Sequence, residues 1–178
     1  MNIRFGGKDD LPALLALVQS AYRGDSARKG WTHEADLLEG QRTDLAALAQ
    51  IVADPRQRIL IATDATGALA GCVNITALDG GKAYLGMLSV DPDRQAGGLG
   101  RMLLEAAEAA AVSEFGAQAM EMTVIRQRAE LIAWYERRGY ALTGEERPFP
   151  LDDERFGLPQ RRDLAFVVLE KPISPSAR

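Results

Sequence analysis

The sequence predicts a single α/β domain built on a mixed, mostly antiparallel central sheet flanked by helices. Three observations carry that prediction. The chain has 178 residues, 47 % apolar and 26 % charged, the balance of an ordinary globular protein with one sizeable core. Between 58 and 90, three strand-like runs are separated by tight turns, the pattern of antiparallel hairpins. Beyond 90, strand-like and helix-like segments alternate, which brings in parallel pairing.

The elements follow in order. NIRF at 2–5 reads as a short strand. Asp9 and Asp10 supply a helix N-cap and Pro12 suits the first turn. Leu11, Leu14, Leu15, Val18 and Tyr22 then recur at helical spacing, and Gly24 ends the helix. Residues 24–43 are polar and irregular around Trp31. Thr43 caps a second helix, whose stripe is Leu45, Leu48, Ala49 and Val52 and whose stop is Asp54-Pro55. Strands over 58–64 and 69–77 flank the turn Ala65-Thr66-Gly67. The run 83–90 is too apolar for an edge strand and closes at Asp91-Pro92. A helix over 99–115 buries Leu99, Met102, Leu103, Ala106, Ala107 and Ala110. A strand at 118–125, a helix at 128–138 ending at Gly139, and strands at 140–147 and 163–170 complete the set. The loop 148–162 is rich in Pro, Gly and charge. One domain therefore covers 1–171, with 172–178 as a disordered tail.

Charge and composition exclude several function classes. With 21 basic and 25 acidic side chains the net charge is −4, unlike a general nucleic-acid binder. One cysteine, Cys72, and one histidine, His33, argue against an internal disulfide and against a metal centre, so no metal is expected. No signal peptide or membrane-spanning run is present, so no membrane partner is expected and the expected location is the cytoplasm.

The segment from Leu88 to Glu108, LSVDPDRQAGGLGRMLLEAAE, carries the chemical information. A buried strand leads through a turn and a glycine loop into a helix. The first helical turn leaves backbone N–H groups unpaired, and Gln95 to Arg101 provide no Ser, Thr, Asp or Asn to cap them. The first acid inside the helix is Glu105, while Arg94 and Arg101 flank the loop. Free amides, a positive dipole end and glycines that let a ligand approach make a phosphate or pyrophosphate cradle. A P-loop is excluded because Arg101-Met102 stands where Lys-Ser or Lys-Thr is required. A dinucleotide fingerprint is incomplete, since Gly98-Leu-Gly100-Arg-Met-Leu lacks the third glycine. From these residues alone, a plain glycine turn before a poorly capped helix remains the alternative.

The same stretch resembles motif A of the GNAT family of N-acetyltransferases, a loop of the form Gln/Arg-x-x-Gly-x-Gly/Ala filled here by Gln95, Gly98 and Gly100. The order of elements also matches that fold from residue 2 to about 170. Residues 128–140, RAELIAWYERRGY, resemble the family's motif B, with one departure: many relatives carry Asn where Arg128 stands. Together with WTHEADLLEGQRT and the FGLP at 156–159, these segments resemble a bacterial subgroup of the family. The resemblance implies the acyl-CoA N-acyltransferase fold and acetyl-CoA as cosubstrate. It implies that Gln95, Ala96, Gly97, Gly98, Leu99, Gly100 and Arg101 hold the pyrophosphate, and that Leu88, Ser89 and Val90 hold the pantetheine arm through the backbone.

Transfer of an acetyl group to an amine requires a neutral amine, a stabilised oxyanion and a proton for the leaving thiolate. Tyr135 matches the family tyrosine beside the sulfur and is the expected general acid; the oxyanion donor is expected near Leu88. For the general base, Glu121 is the candidate on the strand after the cofactor helix, and Glu34, Asp36 and Glu39 are candidates in the first long loop, with a water as the other option. The loops at 24–43 and 148–162 correspond to the acceptor site, where Trp31, Glu34, Asp36 and Phe156 are the expected lining of an aromatic, acidic site for a cationic amine. The leading expectation is an acetyl-CoA-dependent N-acetyltransferase for a small-molecule or peptide amine, with a homodimer as a plausible assembly. A non-catalytic acyl-CoA-binding regulatory module is the alternative, and a nucleotide-binding α/β domain is a third reading.

Overall fold

In the computed structural model, residues 1–175 are described, apart from side-chain detail at 24, 25 and 96. The chain forms β1 (Asn2–Phe5), α1 (Leu11–Tyr22), α2 (Gly24–Arg28), β2 (Leu38–Glu39), α3 (Leu45–Ala53), β3 (Gln57–Thr63), β4 (Leu69–Ala77) and β5 (Lys82–Val90). It continues through α4 (Leu99–Phe115), β6 (Ala119–Ile125), α5 (Ala129–Glu136), β7 (Ala141–Pro148), β8 (Leu158–Pro159) and β9 (Ala165–Pro172).

Seven strands form the main sheet in the order β1-β3-β4-β5-β6-β9-β7. Five of its six pairings are antiparallel, and β5–β6 is the parallel one. Parallel pairing in the second half is thus narrower than strand-helix alternation suggests, because β9 returns between β6 and β7 and pairs antiparallel with both. The apolar run of β5 sits in the middle of the sheet, with β4 and β6 on either side.

Two apolar layers cover the faces. On one, Leu99, Leu103, Leu104, Ala107 and Ala111 of α4 pack with Leu60, Val73, Ile75 and Leu85. Leu104 replaces the expected Met102, which is exposed, so the buried stripe of α4 is rotated from the expected face. On the other, Leu14, Leu17, Val18 and Leu48 pack with Ile59, Ile61, Cys72 and Met87. Each buried Leu, Ile, Val or Met among them contributes roughly 1.5–3 kcal/mol by removal from water.

Several ends differ from expectation. Asp10 does not cap α1 through its side chain; its carboxylate pairs with Arg4 at 2.8 Å and accepts the Gly7 N–H at 2.8 Å. Asp44, not Thr43, caps α3, its Oδ1 accepting the Ala47 N–H at 2.8 Å. After α1 the chain does not stop at Gly24, which opens the short α2. The two long loops are tied together, because β2 and β8 form an antiparallel ribbon and Gln160 N–H donates to the Leu37 carbonyl at 2.8 Å. Leu38, Phe149 and Leu164 bury a small core beneath that ribbon with Ile125. Pro172 belongs to β9, and Ile173 is buried and donates its N–H to the Gln118 carbonyl, so the ordered chain runs past the expected boundary at 171. Residues 176–178 of the expected tail lie outside the described residues.

Candidate active site

The site grows from two irregularities in β5. Opposite Val73, the β4–β5 register slips between Cys72–Ser89 and Asn74–Gly86, and Met87 adopts φ 55°. A left-handed backbone at a side-chain-bearing residue carries strain of about 1–3 kcal/mol and is held by its surroundings. Here Met87 is buried, and its carbonyl accepts the Ser89 hydroxyl at 3.0 Å. The second irregularity is on the other edge. Pairing of β5 with β6 ends at Tyr84–Glu121, although the strands run on to Val90 and Ile125. Their separation opens a cleft through the sheet at the level of Leu88.

Two cavities meet in that cleft. The first is bounded by Leu88, Ser89 and Val90, by Gln95, Gly98, Gly100 and Arg101 of the loop and α4, and by Arg128, Trp134, Tyr135 and Arg138 of the α5 segment. The second lies toward the β2–β8 ribbon, bounded by Arg23, Glu34, Arg42, Asn74, Tyr84, Thr123, Phe149 and Phe156 among others. Tyr22, Leu88, Arg128, Leu131 and Tyr135 border both.

The first cavity fits an anion. Gly98 at φ 73° is the N-cap of α4, a backbone that glycine adopts without penalty, and no side chain caps the helix. The free amides of that end face a wall carrying Arg101, Arg128 and Arg138 and no carboxylate. Arg138 lies over the Trp134 ring with its guanidinium carbon 3.6 Å from the centroid, and its buried Nε has no partner. Burial first, and then Arg137 and Arg101, hold the Arg138 guanidinium below its ordinary pKa. Gln95 works differently from a simple ligand. Its Oε1 accepts the Trp31 N–H at 2.9 Å and so fixes the loop that closes over the cavity. Arg94 faces away, bound to Asp64 at 2.6 Å, and fastens the loop to the β3–β4 turn.

Tyr135 stands at the junction of the cavities. It is 5 % exposed, stacks edge-on to Trp134 at 5.0 Å and to Tyr140 at 5.7 Å, and its hydroxyl has no protein hydrogen-bond partner among the described residues. Burial first, and then the neighbouring Tyr22, pushes its phenol above the usual range. The Tyr22 hydroxyl is already committed, donating to the Leu88 carbonyl at 2.8 Å. Arg128, at the position where the motif B resemblance leads to an expected Asn, reaches across the cleft to Glu34 at 3.4 Å and to the Thr32 hydroxyl at 3.3 Å.

Not every expected residue reaches its expected place. Of the loop residues, Gly97 and Leu99 do not border the cavity, Leu99 being buried in the core, and the side chain of Ala96 lies outside the described residues. Trp31 borders the first cavity, 6.3 Å from Trp134, and not the second, where the acceptor lining was expected. Asp36 borders neither and is held by Arg28 at 3.1 Å. Glu39 is exposed outside the cleft. Glu34 does border the second cavity but is buried between Arg23 and Arg128, with Arg23 Nη1 donating to its Oε1. Glu121 borders neither cavity; Arg147 holds it at 2.8 Å, with Lys82 at 3.9 Å. Phe156 borders the second cavity, and its carbonyl accepts from Arg23 Nη2 at 3.3 Å. Sequence reasoning passed over Tyr22, Arg23, Arg42, Trp134 and Arg138, whose placement follows from long-range packing that no local spacing encodes. Among the described residues, no group of His, Cys, Asp and Glu has metal-holding geometry, and no helix is long and apolar enough to cross a membrane.

Comparison with known proteins bears on this cleft. The model of the acetyltransferase (GNAT) family matches residues 15–140. Mycothiol acetyltransferase of Clavibacter sepedonicus is 33 % identical over 144 residues, covering 75 % of this chain. The chain spans 45 % of that relative's length. The ribosomal-protein-S18-alanine N-acetyltransferase of Escherichia coli has the same fold, with a TM-score of 0.71 at 21 % identity over 99 % of this chain and 96 % of its own. A Salmonella typhimurium structure that contains its cofactor acetyl-CoA superposes with a TM-score of 0.69 at 21 % identity, over 100 % of this chain and 96 % of its own. The sheet, the splayed strands and the glycine loop accord with that match, and the chain belongs to the GNAT family of acetyltransferases.

Proposed function

We propose that this chain moves an acetyl group from acetyl-CoA to a primary amine by direct attack, with Tyr135 as general acid. Acetyl-CoA supplies the activated thioester, which is the one chemical resource the chain's own residues lack. The observation that carries the reading is the position of Tyr135: it is the one residue bordering both cavities whose hydroxyl is free of protein partners, since the Tyr22 hydroxyl is taken by Leu88.

The division of labour follows. The amides at the start of α4, with Arg101 and Arg138, hold the pyrophosphate. The backbone of Leu88, Ser89 and Val90, released from β6, pairs with the pantetheine arm, and an N–H near Leu88 serves the oxyanion. The amine arrives through the second cavity. Its nitrogen bonds to the thioester carbon, the carbon–sulfur bond breaks, and the leaving sulfur takes the Tyr135 proton, which solvent replaces. The amine's surplus proton passes to water, because Glu34, the carboxylate bordering that cavity, is engaged by two guanidinium groups. A phenol held above its usual range is a proton donor and not a base throughout the neutral range.

The test is thiol release from acetyl-CoA with a broad amine panel, alongside calorimetric binding of acetyl-CoA. The reading predicts binding and amine-dependent release. Tyr135→Phe lowers kcat about 10²–10⁴-fold while acetyl-CoA binding persists. Unchanged kcat removes Tyr135 from the chemistry. Binding without release on any amine leaves the non-catalytic acyl-CoA module as the correct reading, and a thermal shift with NAD or ATP but none with CoA turns it to a nucleotide-binding domain.

A further inference from the structure

The second cavity is cationic, against the acidic lining that its loop composition suggests. Three arginines border it, Arg23, Arg42 and Arg128, against one carboxylate, Glu34. That carboxylate already bridges two of them, Arg23, which is buried, and Arg128, whose side chain is 10 % exposed. Arg42 has no carboxylate partner among the described residues; its guanidinium carbon sits 5.1 Å from the centroid of the Tyr22 ring. Asp36 and Glu39, the other acids of this loop considered for the site, stay outside the cavity. Three buried polar atoms on its wall lack partners: two donors, Nε of Arg23 and Nε of Arg128, and one acceptor, Oδ1 of Asn74.

A cation docking in this space would meet an uncompensated positive field, at a cost that low-dielectric walls enlarge. An anion finds a planar donor fork already stacked and half desolvated, the geometry that guanidinium offers to carboxylates. We infer that the acceptor is a primary amine that also carries a carboxylate, with Arg42 as the residue that receives the carboxylate. This rests on the transferase reading above and names its substrate class. The Asn74 Oδ1 is left for a substrate N–H, and Phe149 and Phe166 add apolar residues to the lining.

The experiment compares matched amines at saturating acetyl-CoA, read by thiol release: α- and ω-amino acids, their carboxamides, and the amines lacking the carboxyl group. The proposal expects kcat/KM for the best acid to exceed that of its carboxamide by about tenfold or more. Arg42→Gln raises KM for the acid and brings the acid-to-carboxamide ratio toward one, and Arg42→Lys restores part of it. The acetyl-CoA Kd of each variant reports that the fold is intact. Turnover on carboxamides or polyamines that equals or exceeds turnover on acids overturns the proposal and leaves the transferase reading standing. So does a ratio that Arg42→Gln does not change. Acetyl-CoA binding with no turnover on any amine overturns both.

Discussion

Arg128 shows how one residue changes the character of the site. At the head of α5, where the motif B resemblance leads to an expected Asn, a long guanidinium spans the cleft and joins Glu34 and Thr32 to the wall. It thereby neutralises the carboxylate that the loop brings in and helps make both cavities positive. Breaking a buried ion pair by removing one partner is strongly destabilising, about 3–5 kcal/mol, because a charge is left behind. Glu34→Ala is therefore expected to lower the urea midpoint, whereas an exposed pair such as Arg28–Asp36 is worth about 1 kcal/mol or less, so Asp36→Ala barely moves it. Equal effects of the two would show that the Arg23–Glu34–Arg128 cluster is not buried in solution. On the cofactor side, Arg138→Ala is expected to raise the acetyl-CoA Kd by about tenfold, read by calorimetry. Tyr135 and the loop residues Gln95, Gly98, Gly100 and Arg101 all border the first cavity, a juxtaposition that the family resemblance implied from two contiguous motifs. The pairing of Arg128 with Glu34 was not legible in the sequence, because 94 residues separate the partners and only the packed fold brings them together.

Among elements, β4, β5 and α4 meet closely at Gly71, next to the register slip between β4 and β5. A Cβ on Gly71 would lie 2.7 Å from Leu103 Cδ1 and 3.0 Å from the Ser89 carbonyl, so a side chain there forces Leu103 to move and crowds the β5 backbone. Gly71→Ala is expected to lower stability by about 1–3 kcal/mol in urea denaturation and to disturb the bulge beside it. A wild-type midpoint would refute that packing. Gly100 is the instructive contrast: its Cβ would meet Trp134 and Val90 only at 3.6 Å and 3.8 Å, ordinary contacts that alanine satisfies. Strand and helix positions were readable from apolar periodicity, which is a local property. The β2–β8 ribbon was hidden, because each strand is two residues long and polar loop composition masks a pairing made between segments 120 positions apart. The rotated stripe of α4 was missed for a related reason: Met102 and Leu104 are both apolar, and only contact with the sheet decides which is inside.

For the molecule as a whole, a net charge of −4 coexists with a cleft lined by arginines. Global charge describes solubility and association, and local charge selects the ligand. Burial of acidic protons in the core gives the molecule a characteristic alkaline limit. The Cys72 thiol is pushed up to about 12 by burial, and the phenols of Tyr22, Tyr135 and Tyr140 also lie above their usual range, burial again being the first cause. A group whose folded pKa is raised contributes its stability below the unfolded value and loses it as pH rises toward the folded value. The urea midpoint is therefore expected to fall progressively above pH 9, where the unfolded thiol ionises, and further above 10, where unfolded phenols do. A midpoint flat to pH 11 would contradict the burial of these groups. The central claim concerns the cleft, and the most direct measurement is a crystal structure with acetyl-CoA bound. The account predicts pyrophosphate on the amides between Gln95 and Arg101, the pantetheine arm between β5 and β6, and the thioester sulfur within hydrogen-bonding reach of the Tyr135 hydroxyl. A ligand seated elsewhere, or a sulfur on the far side of Trp134 from that hydroxyl, would contradict it.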